Sequence, residues 1–296
     1  MKKYVRIKFA KLDFFDFRFG GPGLGNLLFV WARAIVYADK LNLPVLSPNW
    51  RTFTIGPYLR HEKDKRNYKN LFINDGIKGY KKYLIQLYSI KQIQNSKIRV
   101  FLNIPEVIIF YGLKNQMTHL INHHVLVKKK LINILSKDVI KLIGQNNSIF
   151  IGVHIRCGDF QAENEDHLRS GRTITRIPMN WYITQIKKLK QKFGNNICFK
   201  IFSDGHIDEL SKVLSIENVT LVEGGNALSD LISLSRSKII ISSNSTFSLW
   251  ASYLGRCHTI WFPGTKRFDL FNENESCLEF ELDYDQKLPE KLKLLH

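Results

Sequence analysis

From about residue 149 onward, short β-branched runs alternate with helix-period stretches: Ser148–Ile155, Met179–Phe193, Ile197–Ser203, Ile207–Leu214, Val219–Val222, Leu228–Ser235, Lys238–Ser242, Phe247–Leu254 and Thr259–Phe262. Strand and helix in strict turn predict right-handed βαβ units and a parallel sheet covered on both faces. Ligands of such sheets sit beyond the carboxyl ends of the strands. Three polar clusters fall there. His154–Asp159 closes the strand starting at Ile149, Ser203-Asp204-Gly205 closes a second, and Ser242–Thr246 closes the strand starting at Lys238.

The other half opens in a related way. A strand over Tyr4–Phe9 and a loop lead into Gly20-Gly-Pro-Gly-Leu-Gly-Asn26. A helix is expected over Leu27–Leu41, where Leu27, Leu28, Trp31, Ala34, Ile35 and Ala38 recur at helical spacing. Strand, Gly-rich turn and helix together suit close approach to a phosphate. Residues 50–147 are basic, carry Tyr and Phe throughout and show no ordered pattern. A division near Gln145–Ser148 gives an α/β chain of two Rossmann-like domains, residues 1–147 and 148–296, facing a cleft.

A chain of 296 residues, 44% of them apolar, can bury a substantial core. The first eleven residues are basic and lack a signal-peptide core. Arg33 interrupts the longest apolar stretch, Leu27–Ala38, well short of the roughly 18 residues a span needs. Folding in the cytosol is therefore expected. Cys157, Cys198, Cys257 and Cys277 form no C-x-x-C pair and read as ordinary thiols. His119, His123 and His124 have metal-like spacing but no nearby carboxylate, and an ordinary surface role fits them better.

The net charge of +18 is uneven: residues 1–148 hold 26 Lys and Arg against 8 Asp and Glu, whereas residues 149–296 hold 18 against 18. Any single basic cluster reads as a solvated face. The asymmetry as a whole suits an anionic membrane leaflet, with nucleic acid as the competing polyanion. Against nucleic acid, the basic residues form no recognisable binding module.

Asn244-Ser245-Thr246 opens a helix after a buried strand and offers backbone N–H groups and hydroxyls to an anion. Arg156, beyond the strand ending at Ile155, can grip phosphate oxygens with its guanidinium fork; alternatively it pairs with Asp159 to finish the strand. The Asn-Ser-Thr turn tips the balance toward phosphate. A fixed Arg and a helix N-terminus can neutralise a departing nucleoside diphosphate without a metal. His154 shares a strand face with Arg156 and could meet a nucleotide, or be a satisfied surface histidine. Asp230, 15 residues before Ser245, could accept from guanine or be a plain helix residue. The D-x-D pair, Asp283-Tyr-Asp285, reads as part of a solvated acidic tail, Glu273–Asp285.

Four segments together resemble the α-1,2-fucosyltransferase family, inverting glycosyltransferases of the family 11 type. They are Gly23-Leu-Gly25-Asn26-Leu-Leu-Phe29, His154-Ile-Arg156-Cys-Gly158-Asp159-Phe160, Phe202-Ser203-Asp204, and Asp230 through Asn244-Ser245-Thr246-Phe247-Ser248 to Trp250. The resemblance implies a GT-B-like fold and GDP-fucose as donor, with no metal and no cofactor. It implies that Arg156 binds the β-phosphate, that Ser245, Thr246 and Phe247 with Asn244 line the donor, that His154 and Asp230 contact guanosine, and that Gly25 and Asn26 close over it. The chain departs from the family pattern at Cys157, where a second Arg is usual, and at Leu27, Gly205 and Leu249.

An inverting transfer needs a base for the acceptor hydroxyl. Asp159 is the first choice; Glu163 and Glu165, in a segment read as flexible, and Asp16 or Asp13 are rivals. The expectation is a cytoplasmic enzyme at the inner membrane face, moving L-fucose onto a galactose-type hydroxyl of a surface glycan such as O-antigen or capsule, carried on a lipid diphosphate. Another GDP-sugar or linkage is the alternative.

Overall fold

The computed structural model describes residues 2–59, 65–73, 75–93, 104–144, 149–271 and 275–294. The chain separates into two compact units, one of residues 1–59 and 65–139, the other containing residues 140–296. The expected division at Gln145–Ser148 lies outside the described residues.

The first unit contains β1 (Lys3–Ile7), β2 (Leu12–Phe14), β3 (Phe17–Phe19), α1 (Leu24–Lys40), β4 (Val45–Leu46), β5 (Thr52–Phe53), α2 (Gly56–Leu59), α3 (Gly79–Leu87), β6 (Ile90–Ile93), β7 (Glu106–Phe110) and α4 (His124–Asn133); α5 (Lys137–Gly144) spans the division. Its main sheet, in the order β4-β1-β7-β6, is parallel throughout. Helix α1 buries Leu27, Leu28, Trp31 and Ala34, as its spacing predicted.

That helix starts earlier than expected. Gly23 is extended and caps it, and the Gly23 carbonyl already accepts from Leu27 N–H at 3.2 Å. Gly25 and Asn26 therefore sit in the first helical turn rather than in a loop. The stretch expected as a loop after β1 is a hairpin, β2 antiparallel to β3, which β5 joins in parallel. Residues 50–147 had no legible order because their strands are short and α3 buries only Lys82, which leaves no apolar stripe to read. His119, His123 and His124 do not share a helix, since a 3-10 turn ends at His123 and α4 begins at His124.

The second unit runs β8 (Ile151–Ile155), α6 (Glu165–Arg169), α7 (Met179–Phe193), β9 (Phe199–Ser203), α8 (Ile207–Leu214), β10 (Val219–Leu221), α9 (Ala227–Leu234), β11 (Ile239–Ile241), α10 (Thr246–Gly255), β12 (His258–Trp261) and β13 (Glu279–Glu281). All six strands are parallel, in the order β10-β9-β8-β11-β12-β13. The core joins Ile151, Val153, Phe199, Ile239 and Ile241 of the strands to Trp181 and Ile186 of α7. Two units, each built on a parallel sheet, match the α/β, GT-B-like organisation expected.

Two expectations are corrected. The segment around Glu163 and Glu165 is structured: Asn164 caps α6, accepting from His167 N–H at 2.9 Å. The acidic stretch before Asp285 is not a solvated tail either. Strand β13 extends the sheet, and Asp283 takes both guanidinium nitrogens of Arg169 at 2.6 and 2.9 Å.

Candidate active site

Strand order sets the site. The chain leaves β8 toward β9 and β10 on one side, then returns to place β11, β12 and β13 on the other. The strand order thus reverses between β8 and β11, the point at which such sheets form a crevice beyond the strand ends. The carboxyl end of β8 delivers His154 and Arg156, β11 leads into Asn244–Phe247, and β9 delivers Asp204.

His154 locks β8 to α10. Its Nδ1 hydrogen-bonds the hydroxyls of Ser248 at 2.7 Å and Ser243 at 2.8 Å, and its ring stacks on Phe247 at 4.7 Å. Burial, with Arg156 nearby adding a smaller push, drives its pKa down to about 3, so the imidazole is neutral near pH 7. Ser245 caps α10, accepting from Phe247 N–H at 3.1 Å, and its neighbours Thr246 and Phe247 are partly exposed at the helix N-terminus.

Arg156 is held on two sides. Asp159 lies 2.6 Å from one terminal nitrogen and Asp204 pairs with the other. Of the two alternatives for Arg156, the pair with Asp159 exists, and about a quarter of the Arg156 side chain stays exposed. Two carboxylates fix the plane of the guanidinium. Asp204 also accepts from Cys157 N–H at 2.8 Å. A Cβ on Gly158 would collide with the Asp204 carboxylate, which is why the turn needs glycine there.

Cys157, where the family has a second Arg, turns inward. Burial, with Glu209 and Asp204 adding to it, pushes its thiol up to about 11, which leaves it unreactive near neutrality. Arg176 approaches the same turn, its Nε donating to the Cys157 carbonyl at 2.9 Å and its fork pairing with Glu209 at 2.8 Å.

Asn244 is 3% exposed and pinned rather than free. Its Nδ2 donates to the Arg172 carbonyl at 2.7 Å and its Oδ1 accepts from Arg267 at 2.6 Å. Asp230 lies in the first turn of α9, against Gly225, where a Cβ would strike its carboxylate. Gly25 and Asn26 belong to the first unit; the side-chain oxygen of Asn26 is buried without a hydrogen-bond partner among the described residues.

The rival bases are differently placed. Glu163 accepts from Met179 N–H at 3.3 Å, at the start of α7, and Glu165 takes the Tyr284 hydroxyl at 3.0 Å. Asp13 is 1% exposed and bonded to Phe9 N–H and Asn49. Asp16 is exposed and engaged by Lys82 and Tyr83. Asp159 alone among these candidates sits on the turn after β8.

Sequence reasoning assigned no role to Ser243, Asp204, Arg176 or Arg267. Asp204 had a signal, since it ends the strand next to β8; the Arg residues had none, because they arrive from distant loops. Among the described residues, no group of three or more His, Cys, Asp and Glu is placed to hold a metal ion. No helix among them is long and apolar enough to cross a membrane.

The family model for glycosyl transferase family 11 matches residues 62–279. An alpha-1,2-colitosyltransferase from Escherichia coli is 26% identical over 259 residues, covering 78% of this chain and 84% of that protein. Among solved structures, the fucosyltransferase NodZ from Bradyrhizobium aligns at a TM-score of 0.47 and 13% identity, over 85% of this chain and 93% of its own. A mutant of Arabidopsis thaliana FUT1 in complex with GDP aligns at 0.47 and 13%, over 88% of this chain and 70% of its own.

Proposed function

The chain belongs to glycosyl transferase family 11, and from that premise we propose that it transfers L-fucose from GDP-fucose to a galactose-type hydroxyl, in α-1,2 linkage, on a surface glycan such as O-antigen or capsule. The observation that carries this reading is Arg156, fixed by Asp159 and Asp204 at the β8/β11 reversal, where α10 also starts. In the transfer, the acceptor oxygen bonds to the anomeric carbon from the face opposite the nucleotide, and the bond from that carbon to the diphosphate breaks. Negative charge then grows on the departing GDP. Arg156 and the N-terminus of α10, with Ser245 and Thr246, neutralise it, so no divalent metal is needed. His154, neutral, supports Phe247 and α10 rather than supplying charge.

Asp159 is the proposed base. It is partly exposed on the turn that holds Arg156, and its proton load would pass to solvent after transfer. The acceptor is proposed to be a lipid-diphosphate-linked glycan met at the inner membrane face, the basic first unit contacting anionic lipid.

Arg156→Ala should lower kcat/KM by at least about a hundredfold, equivalent to about 3 kcal/mol of transition-state stabilisation. Near-normal turnover of GDP-fucose by that variant would refute the phosphate assignment. Activity should persist in EDTA; a strict requirement for Mn²⁺ or Mg²⁺ would refute the metal-free mechanism.

A second reading is favoured by the Escherichia coli relative, whose name specifies colitose rather than fucose. Product masses from parallel reactions with GDP-fucose and GDP-colitose decide between them.

A further inference from the structure

The small sheet β2-β3-β5 is inside out. Its register sets Leu12 opposite Phe19, Phe14 opposite Phe17 and Phe19 opposite Phe53, so all five share one face. That face is open: their exposures run from 43% at Phe17 to 63% at Phe53. The inward face carries Asp13, Arg18 and Thr52, at 1%, 0% and 9%. Arg18 donates to the Gly20 carbonyl at 2.7 Å, and Asn49 bridges Asp13 and Lys82 at 2.6 Å each. Buried polar contacts therefore hold the aromatic face outward as a stiff platform, and exposed apolar patches of this kind mark binding surfaces.

A cavity of about 430 Å³ opens beside it, lined by Phe17, Phe53 and Tyr58, by Arg51 and Lys65, and by Thr54. That volume falls within the range of small-ligand sites. The Arg51 guanidinium lies 4.4 Å from the Phe17 ring centre, and Lys65 Nζ lies 5.1 Å from that of Tyr58. Among the described residues, no carboxylate lines the cavity. The Thr54 hydroxyl is buried without a hydrogen-bond partner among the described residues, an unmet polar group at a cavity wall. Aromatic walls suit the C–H faces of pyranose rings, the hydroxyl suits a sugar hydroxyl, and the Arg51 guanidinium calls for negative charge.

We infer that this cavity is a subsite for an anionic saccharide of the acceptor. The charge comes either from the carboxylate of an acidic sugar or from the phosphate next to the first sugar of a lipid-linked glycan. Its role as an acceptor subsite rests on the transferase reading above; its preference for charged sugars does not.

The test uses the full chain saturated with GDP, which occupies the donor site, and titrates methyl galactoside, methyl glucuronide, galactose 1-phosphate and inorganic phosphate by ligand-observed NMR. A charged sugar should bind about tenfold tighter than methyl galactoside, the value of one charge-assisted contact. Arg51→Gln should erase that margin, and Phe53→Ala should weaken every sugar. Tighter binding of galactose 1-phosphate assigns the lipid-linked phosphate, and tighter binding of the glucuronide assigns an acidic sugar. Equal affinity for charged and neutral sugars, a margin that survives Arg51→Gln, inorganic phosphate as tight as galactose 1-phosphate, or no sugar binding overturns the inference. GDP affinity, measured first on each variant, reports folding; failure of the parent chain to bind GDP would count against the donor reading instead.

Discussion

His154 shows how much a single position can reveal and conceal. Strand alternation placed it on the face of Arg156, and the structure leaves it near enough for Arg156 to lower its pKa, but its partners Ser243 and Ser248 come from another loop and helix that sequence spacing could not join to it. The consequence is a pH signature. Above about pH 6.5 the imidazole is neutral in both folded and unfolded chains, so burial carries no protonation penalty. Between 6.5 and the folded value of about 3, the unfolded chain takes up a proton that the folded chain refuses, and stability falls as pH falls. Urea melts at pH 7 and pH 4.5 should show a steeper acid loss in the parent than in His154→Gln, by up to about 1.4 kcal/mol per pH unit. Equal slopes would show that His154 is not the titrating group. Gly158 offers a second check. Ala there must displace Asp204, so Gly158→Ala should weaken GDP binding and turnover with little loss of melting temperature, readable by calorimetry and a thermal scan.

At the scale of elements, legibility followed periodicity. Helices α7 and α8 occupy the expected Met179–Phe193 and Ile207–Leu214, because their apolar residues recur at helical spacing against a buried sheet. The β2-β3 hairpin escaped notice because its apolar residues face outward, so the pattern carried no statement about a core. Strand β13 was hidden by its own composition, Glu-Phe-Glu, which reads as solvated. Glu279 is instead partly buried, accepting from Trp261 Nε1 at 3.0 Å and Leu270 N–H at 2.8 Å, and burial lifts its pKa to about 7. A raised carboxyl pKa means that its contribution is intact below about 4.5 and is lost as pH rises through 7. Glu279→Gln never ionises and keeps an acceptor oxygen for one of the two donors, which the carboxylate holds on separate oxygens. Its stability relative to the parent should therefore be higher at pH 8 than at pH 4 by about 1 kcal/mol or more, measured by denaturant titration. A gain of equal size at both pH values would trace the effect to something other than ionisation.

For the molecule as a whole, the sequence's uneven charge acquires a physical reading. The second half, with balanced charge, carries the strand reversal where Arg156 and α10 meet, whereas the basic half carries an outward aromatic face. The alternation of strand and helix made the first of these legible; the second depends on cross-strand register, which only the folded chain supplies. Basic residues alone would attract any polyanion, with an affinity that collapses in salt. Phe and Leu side chains add a contribution that salt does not screen, by burying apolar area at a membrane interface. Each Lys or Arg near an anionic surface contributes about 1 kcal/mol. If the first unit meets a membrane, co-sedimentation with vesicles containing anionic lipid should exceed that with neutral vesicles at low salt and fall steeply as salt rises. Phe14→Ser with Phe19→Ser should remove the salt-resistant remainder, since both rings lie outside the cavity lined by Phe17 and Phe53. Absence of any lipid preference at low salt would exclude the membrane contact, and an unchanged remainder in the double variant would assign contact to charge alone.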